Sequence, residues 1–228
     1  MADGCLLYYI TGQNQFRGDE PARRRALLDK IAEAASAGVD YIQLREKDLS
    51  ARELEMLAHD ALRAIRNAPS LRTENRELRT RLLINSRTDI ALAAGADGVH
   101  LRADDVAPQE VRRVLEVSAH RPLTTDHFLV AASCHTNEDV IRAEAEKADF
   151  AVFAPVFGKN NAPGVRAAGL AALQEACRAK IPVLALGGVN MDNAAICLHA
   201  GAAGIAAIRL FQENRIQDVV RTLRAFEP

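Results

Sequence analysis

No surplus of charge marks this sequence in either direction. Its 29 lysine and arginine residues and 30 aspartate and glutamate residues leave a formal net charge of -1 and are interspersed along the chain. No broad positive field is therefore offered to nucleic acid or to an anionic membrane, and any bound anion must be met by local groups. Long hydrophobic runs are missing as well. The apolar stretches are short and broken by polar residues, and the opening MADGCLLYYITGQ has neither the basic start nor the long apolar stretch of a signal peptide. The expected compartment is the cytoplasm. Cysteine is scarce: Cys5, Cys134, Cys177 and Cys197 are scattered without CxxC spacing. They read as buried thiols rather than a disulfide framework or a zinc site. No strong linker divides the chain, and 228 residues that are 49 % hydrophobic can bury a substantial core.

What the chain does have is recurrence. AGVDYIQL at Ala37, AGADGVHL at Ala94, KADFAVFA at Lys147 and AGAAGIAA at Ala200 each end a helical pattern in small residues and run at once into a short apolar strand. Between them lie further strand candidates, CLLYYIT, RLLINS, LVAASCH and IPVLALGG, each followed by an amphipathic stretch. Asp19 and Pro21 start one helix running toward Gly38, and Ser50 caps ARELEMLAHDALRAIRN. The pattern predicts about eight βα units, hence a single (β/α)₈ TIM barrel over residues 1–228, a closed parallel sheet with helices outside. A doubly wound open sheet is the competitor, but YYITGQNQF stands where GxGxxG would follow the first strand. The polar stretch from Asn67 to Thr80 is expected to be a helix end and a loop on the outside, at the barrel's N-terminal side.

In such a barrel the site forms at the C-terminal ends of the strands. Strand two ends in Gln43, Arg45 and Lys47, three residues that share one face. Strand three ends in Asn85 and Ser86, strand four in His100 with Asp104 and Asp105 beyond, and strand five in Ser133, Cys134 and His135. APVFGKNNAPG follows strand six, Gly187 and Gly188 strand seven, and Arg209 strand eight. Any one of these could be polar because a rim is wet; their joint placement favours a site. Arg45 and Lys47 suit phosphate oxygens, with a salt bridge to a neighbouring carboxylate as the bland alternative. Gly187 and Gly188 allow backbone N–H groups to approach a phosphate, with a tight turn as the alternative.

The blocks QLREK, LLINSRTDIALAAGADGVHL, ASCHT, APVF and LALGGVNMDNAAICLHAGAAGIAAI, in order from Tyr8 to Arg209, resemble the thiamin phosphate synthase/TenI superfamily. The resemblance implies a (β/α)₈ barrel. It also implies a transferase that joins hydroxymethylpyrimidine diphosphate to thiazole phosphate, releasing pyrophosphate, with Mg²⁺. By the same resemblance Gln43, Arg45, Lys47 and Asn85 meet the diphosphate, Ser133 the pyrimidine amino group, and Gly188, Ile208 and Arg209 the thiazole phosphate, with Gly187 beside them as a substrate-binding candidate. Asp105 matches a Mg²⁺ ligand, with Asp104 beside it. The implied catalytic set is Ser133, Arg45, Lys47 and His135.

Three departures from the family pattern stand out. Ser86 replaces the carboxylate usual after Asn85. Lys159 lies in an altered loop where the family lysine aligns with Ala162, so it reaches phosphate only if the loop shifts. Arg209 stands where a small serine is common. His135 also matches the histidine of TenI-like thiazole tautomerases, so an isomerase is the second reading, and a phosphate-ligand binder without catalysis the third. The expected partners are phosphorylated small molecules, with neither nucleic acid nor membrane; a homodimer is among the states the sequence allows.

Overall fold

Eight strand patterns separated by helical ones leave each strand parallel to its neighbour, and the sheet closes on itself. The computed structural model describes residues 4–69, 72–73, 76–77, 79–117, 128–158 and 167–226. The barrel strands are β1 (Leu6–Ile10), β2 (Tyr41–Leu44), β3 (Arg81–Asn85), β4 (Gly98–Leu101), β5 (Leu129–Cys134), β6 (Phe150–Phe153), β7 (Val183–Ala185) and β8 (Gly204–Ala207). Each pairs in parallel with the next, and β8 with β1. Between and after them come α1 (Glu20–Ala37), α2 (Ala51–Asn67), α3 (Thr88–Ala94), α4 (Pro108–Val117), α5 (Asn137–Ala145), α6 (Gly169–Ala176), α7 (Ala194–His199), α8 (Arg209–Gln212) and α9 (Ile216–Arg224). The helix signals act as the residues dictate. Asp19 accepts from the Ala22 N–H at 3.0 Å with Pro21 in the first turn, Gly38 ends α1 in the left-handed region, and Ser50 and Glu53 form a reciprocal cap on α2.

Strand alternation divides the core in two. Tyr8, Ile10, Leu83, Leu129, Ala131, Phe150, Val152, Leu184 and Ala206 point inward and fill the barrel. Their chain neighbours, among them Leu7, Tyr9, Ile42, Leu82, Ile84 and Val130, point outward beneath the helices.

The recurring sequence phrase has a structural meaning. Asp40, Asp97 and Asp149 stand just before β2, β4 and β6, and each accepts a hydrogen bond from the preceding strand: from the N–H of Leu7 at 2.8 Å, Leu82 at 2.8 Å and Val130 at 2.6 Å. Arg224 of α9 pairs with Asp40 at 3.1 Å and Arg112 of α4 with Asp149 at 2.6 Å. The fourth phrase carries Ala203, which has no side-chain acceptor. These clasps lie at the N-terminal ends of the strands, opposite the mouth.

One expectation needs amending. Within the polar stretch after α2, Arg72–Thr73 pairs antiparallel with Arg76–Glu77, so part of the expected loop is a short two-stranded ladder. Backbone pairing needs no apolar side chains, only mutually satisfied N–H and C=O groups. Among the described residues no helix is long and apolar enough to cross a membrane.

Candidate active site

Because all eight strands run the same way, residues at their C-terminal ends share one mouth. Gln43 is next to last in β2, Asn85 last in β3, His100 next to last in β4 and Ser133 next to last in β5. Arg45 and Lys47 follow β2, Asp104 and Asp105 follow β4, His135 follows β5, Gly187 and Gly188 follow β7, and Ile208 and Arg209 follow β8. Lys159 and Ala162 lie outside the described residues.

Under the mouth a polar chain crosses the apolar interior. The Tyr8 hydroxyl lies 3.0 Å from His100 Nδ1, and His100 Nε2 lies 2.8 Å from Ser133 Oγ. A neutral imidazole donates through one nitrogen and accepts through the other, so the state of one end of this chain fixes that of the other. Burial, assisted by the Arg45 charge, pushes His100 down to about 3, and burial pushes Tyr8 well above its ordinary range. Both are therefore uncharged at neutral pH. Gln43, only 1 % exposed, has a buried Nε2 with no close hydrogen bond among the described residues, its one polar neighbour being the Tyr8 hydroxyl. An unpaired buried amide costs roughly 1–3 kcal/mol, a cost that a ligand acceptor would relieve.

Beyond Gln43, the turn carries two cations: Arg45 lies close enough to Glu46 for its charge to favour that carboxylate, but neither Arg45 nor Lys47 makes a close ion pair among the described residues. Glu46, between them, turns the other way and accepts from the Thr11 hydroxyl at 2.6 Å and the Gln13 N–H at 2.9 Å. Burial raises its carboxyl, partly offset by these two bonds.

The metal side is sparse. Asp105 Oδ2 accepts from the Arg102 N–H at 2.7 Å, and Asp104, mostly exposed, is ion-paired with the Arg102 guanidinium. Ser86 occupies the left-handed region at φ 62°, and its hydroxyl accepts from Asn85 Nδ2 at 3.2 Å. No group of three histidine, cysteine or acidic side chains that could hold a metal occurs among the described residues. This donor set fits a magnesium ion that arrives on a diphosphate and takes one protein carboxylate, since Mg²⁺ keeps waters and substrate oxygens in its shell. Among the described residues it does not offer a site for a metal held by protein alone.

On the far side, Gly187 and Gly188 have φ of 96° and 67°, and a Cβ on either would lie 2.7 Å from Pro155 or Phe157 atoms. The glycines are thus required by a close approach to the segment after β6. That gives the tight-turn alternative a physical basis and leaves the turn's backbone at the mouth. His135 Nδ1 lies 2.7 Å from the Ala154 carbonyl oxygen. A carbonyl only accepts, so Nδ1 carries the proton and Nε2 holds the lone pair of the neutral ring. Arg209 is exposed at the start of α8.

The family model for thiamine monophosphate synthase matches residues 7–211. The chain belongs to that family. It is 35 % identical over 227 residues to a thiamine-phosphate synthase of Methanoculleus marisnigri, covering 97 % of this chain and 94 % of that one. To the thiamine-phosphate synthase of Syntrophomonas wolfei it is 34 % identical, with 96 % and 94 % covered. A solved thiamine phosphate pyrophosphorylase from Pyrococcus furiosus superposes with a TM-score of 0.75 at 26 % identity, covering 98 % of this chain and 95 % of that one. Within this family setting, two features of the site escape a reading of strand ends alone: the Tyr8–His100 link and the Thr11–Glu46 link. The first was available from parity, since Tyr8 and His100 both fall on inward-facing positions. The second was not, because it joins two loops.

Proposed function

We propose that the chain is a thiamin phosphate synthase, a transferase coupling hydroxymethylpyrimidine diphosphate to thiazole phosphate with release of pyrophosphate. The observation that carries this reading is the β2 turn, which offers Arg45 and Lys47 with no close ion pair among the described residues beside the Gln43 amide, whose Nε2 has no close hydrogen bond there. Such a set is complementary to a diphosphate.

In this reaction the bond between the pyrimidine methylene carbon and the diphosphate oxygen breaks. Pyrophosphate keeps the electron pair, and the thiazole nitrogen then forms the new bond to that carbon. The protein's task is positioning and charge stabilisation. Arg45 and Lys47, with Gln43 and Asn85, hold the leaving group as negative charge grows on it. Ser133 orients the pyrimidine through its hydroxyl, whose donor or acceptor state is coupled to His100. Gly188, Ile208 and Arg209 hold the thiazole phosphate. Asp105 would hold Mg²⁺, which when bound supplies further neutralisation of the diphosphate oxygens.

The test is a coupling assay with both substrates and Mg²⁺, scored by pyrophosphate release. Release dependent on both substrates is the expected result. Proton exchange on the thiazole phosphate without release would instead identify a tautomerase using His135, and binding without either reaction a non-catalytic member.

A further inference from the structure

Glu46 lies between two cations, Arg45 and Lys47, yet its own bonds go to another loop. Both of its oxygens are taken by the segment after β1, by the Thr11 hydroxyl at 2.6 Å and by the Gln13 N–H at 2.9 Å. Thr11 is fully buried. Its Oγ1 also accepts from the Arg45 N–H at 2.9 Å, and its own N–H donates to the Gln43 carbonyl at 2.9 Å. On the other flank of Lys47, Asp48 accepts from Asn14 Nδ2 at 2.8 Å. The segment is itself fixed from α8, where Gln212 Nε2 donates to the Gly12 carbonyl at 3.1 Å. The turn bearing Arg45 and Lys47 is therefore held at its base on both sides, while neither cation makes a close ion pair among the described residues.

We propose that Glu46 is a positioning residue for the diphosphate side: through Thr11 and Gln13 it fixes the turn that presents Arg45 and Lys47, without touching the ligand itself. Long cationic side chains lose rotamer and backbone freedom when they bind, and a turn ordered in advance removes the backbone share of that cost. The inference rests on Arg45 and Lys47 being the diphosphate-binding pair.

Glu46→Ala and Thr11→Val test it, with Thr11→Ser as the conservative control that keeps the hydroxyl. Each of the first two should raise KM for hydroxymethylpyrimidine diphosphate and weaken calorimetric binding of inorganic pyrophosphate by about tenfold, with KM for thiazole phosphate changed by less than about twofold. Thr11→Ser should restore most of the loss. The double variant should lose less than the sum of the two single losses, because both changes cut the Thr11–Glu46 bond while each cuts one further bond of its own. If Glu46→Ala does not fold, Glu46→Gln, which keeps the side chain's size and one acceptor oxygen, takes its place beside the Thr11 variants.

Unchanged pyrophosphate affinity in Thr11→Val, equal losses for both ligands, or no pyrophosphate binding by the parent would overturn the proposal. A parent that binds pyrophosphate and is weakened by Thr11→Val, but releases none from substrates, would sink the synthase reading and leave the positioning role standing.

Discussion

His100 and Ser133 share a hydrogen bond of 2.8 Å between Nε2 and Oγ, while the other ring nitrogen of His100 is engaged by Tyr8 at 3.0 Å. The hydroxyl at the mouth is thus coupled to a histidine only 3 % exposed and, through it, to a phenol inside the barrel. A side chain with no access to solvent is linked, through one imidazole, to a hydroxyl near the C-terminal end of β5.

That histidine makes stability depend on pH. Burial holds it down to about 3 in the fold, whereas an unfolded chain protonates it near the ordinary value of about 6.5. Between those values unfolding takes up a proton, so stability falls as pH falls, by about 1.4 kcal/mol per unit from this group. Above about 6.5 it contributes no slope. Urea midpoints of the parent and His100→Gln should converge as pH is lowered from about 7 to about 4; parallel curves would rule out a neutral buried ring.

Lys47→Ala should weaken the diphosphate side selectively. Losing one charge-assisted contact typically costs about 1.5–3 kcal/mol, roughly ten- to a hundred-fold in affinity. Calorimetry should find that loss for inorganic pyrophosphate and little change for thiazole phosphate. Equal losses would mean that the two anions are not met by separate groups.

Ser86 offers a test of the metal. Its left-handed backbone is one that aspartate adopts more readily than most residues, so Ser86→Asp restores the family carboxylate without a new backbone conflict. Half-maximal coupling should then require less Mg²⁺, because a second anionic oxygen suits this cation. Ser86→Gly should raise stability by about 1 kcal/mol if left-handed strain outweighs the lost hydroxyl bond, with no gain in metal affinity. Identical Mg²⁺ curves for the parent and Ser86→Asp would mean the missing ligand is already supplied by substrate or water.

Asp97→Ala should separate fold from function. It leaves the Leu82 N–H, which the carboxylate meets at 2.8 Å, buried and unpaired, at a cost of about 1–3 kcal/mol. Chemical denaturation should register the loss. Activity well below the melting temperature should not change, since the clasp is at the end of the barrel away from the mouth.

Much of the fold was legible because period-two alternation and the αβ junctions are local signals: each of the eight strand segments read from sequence contains a barrel strand. The mouth was legible for the same reason, since strand direction places Gln43, Asn85 and Ser133 once the barrel is granted. The roles of Asp40, Asp97 and Asp149 were not, although they recur in plain sight, because a carboxylate before a strand looks like any polar turn residue until its neighbour's N–H is located. Glu46 was hidden by its position in a charged run, where only the distant Thr11 and Gln13 distinguish a half-buried strut from a solvated side chain.

The missing fourth aspartate has a dynamic consequence. Ala203 leaves β7 and β8 without a carboxylate clasp, and their ladder is short: Gly204 faces Leu184, Ile205 faces Ala185, and the Ala203 N–H donates to the Val183 carbonyl at 2.9 Å. This least-secured quarter of the wall leads into Gly187, Gly188, Ile208 and Arg209. Local opening is cheapest where few bonds resist it, so amide hydrogen exchange in the barrel strands should be fastest in β7 and β8. The wall would then breathe on the side assigned to the thiazole phosphate, while the clasped pair β1–β2 keeps the diphosphate side still.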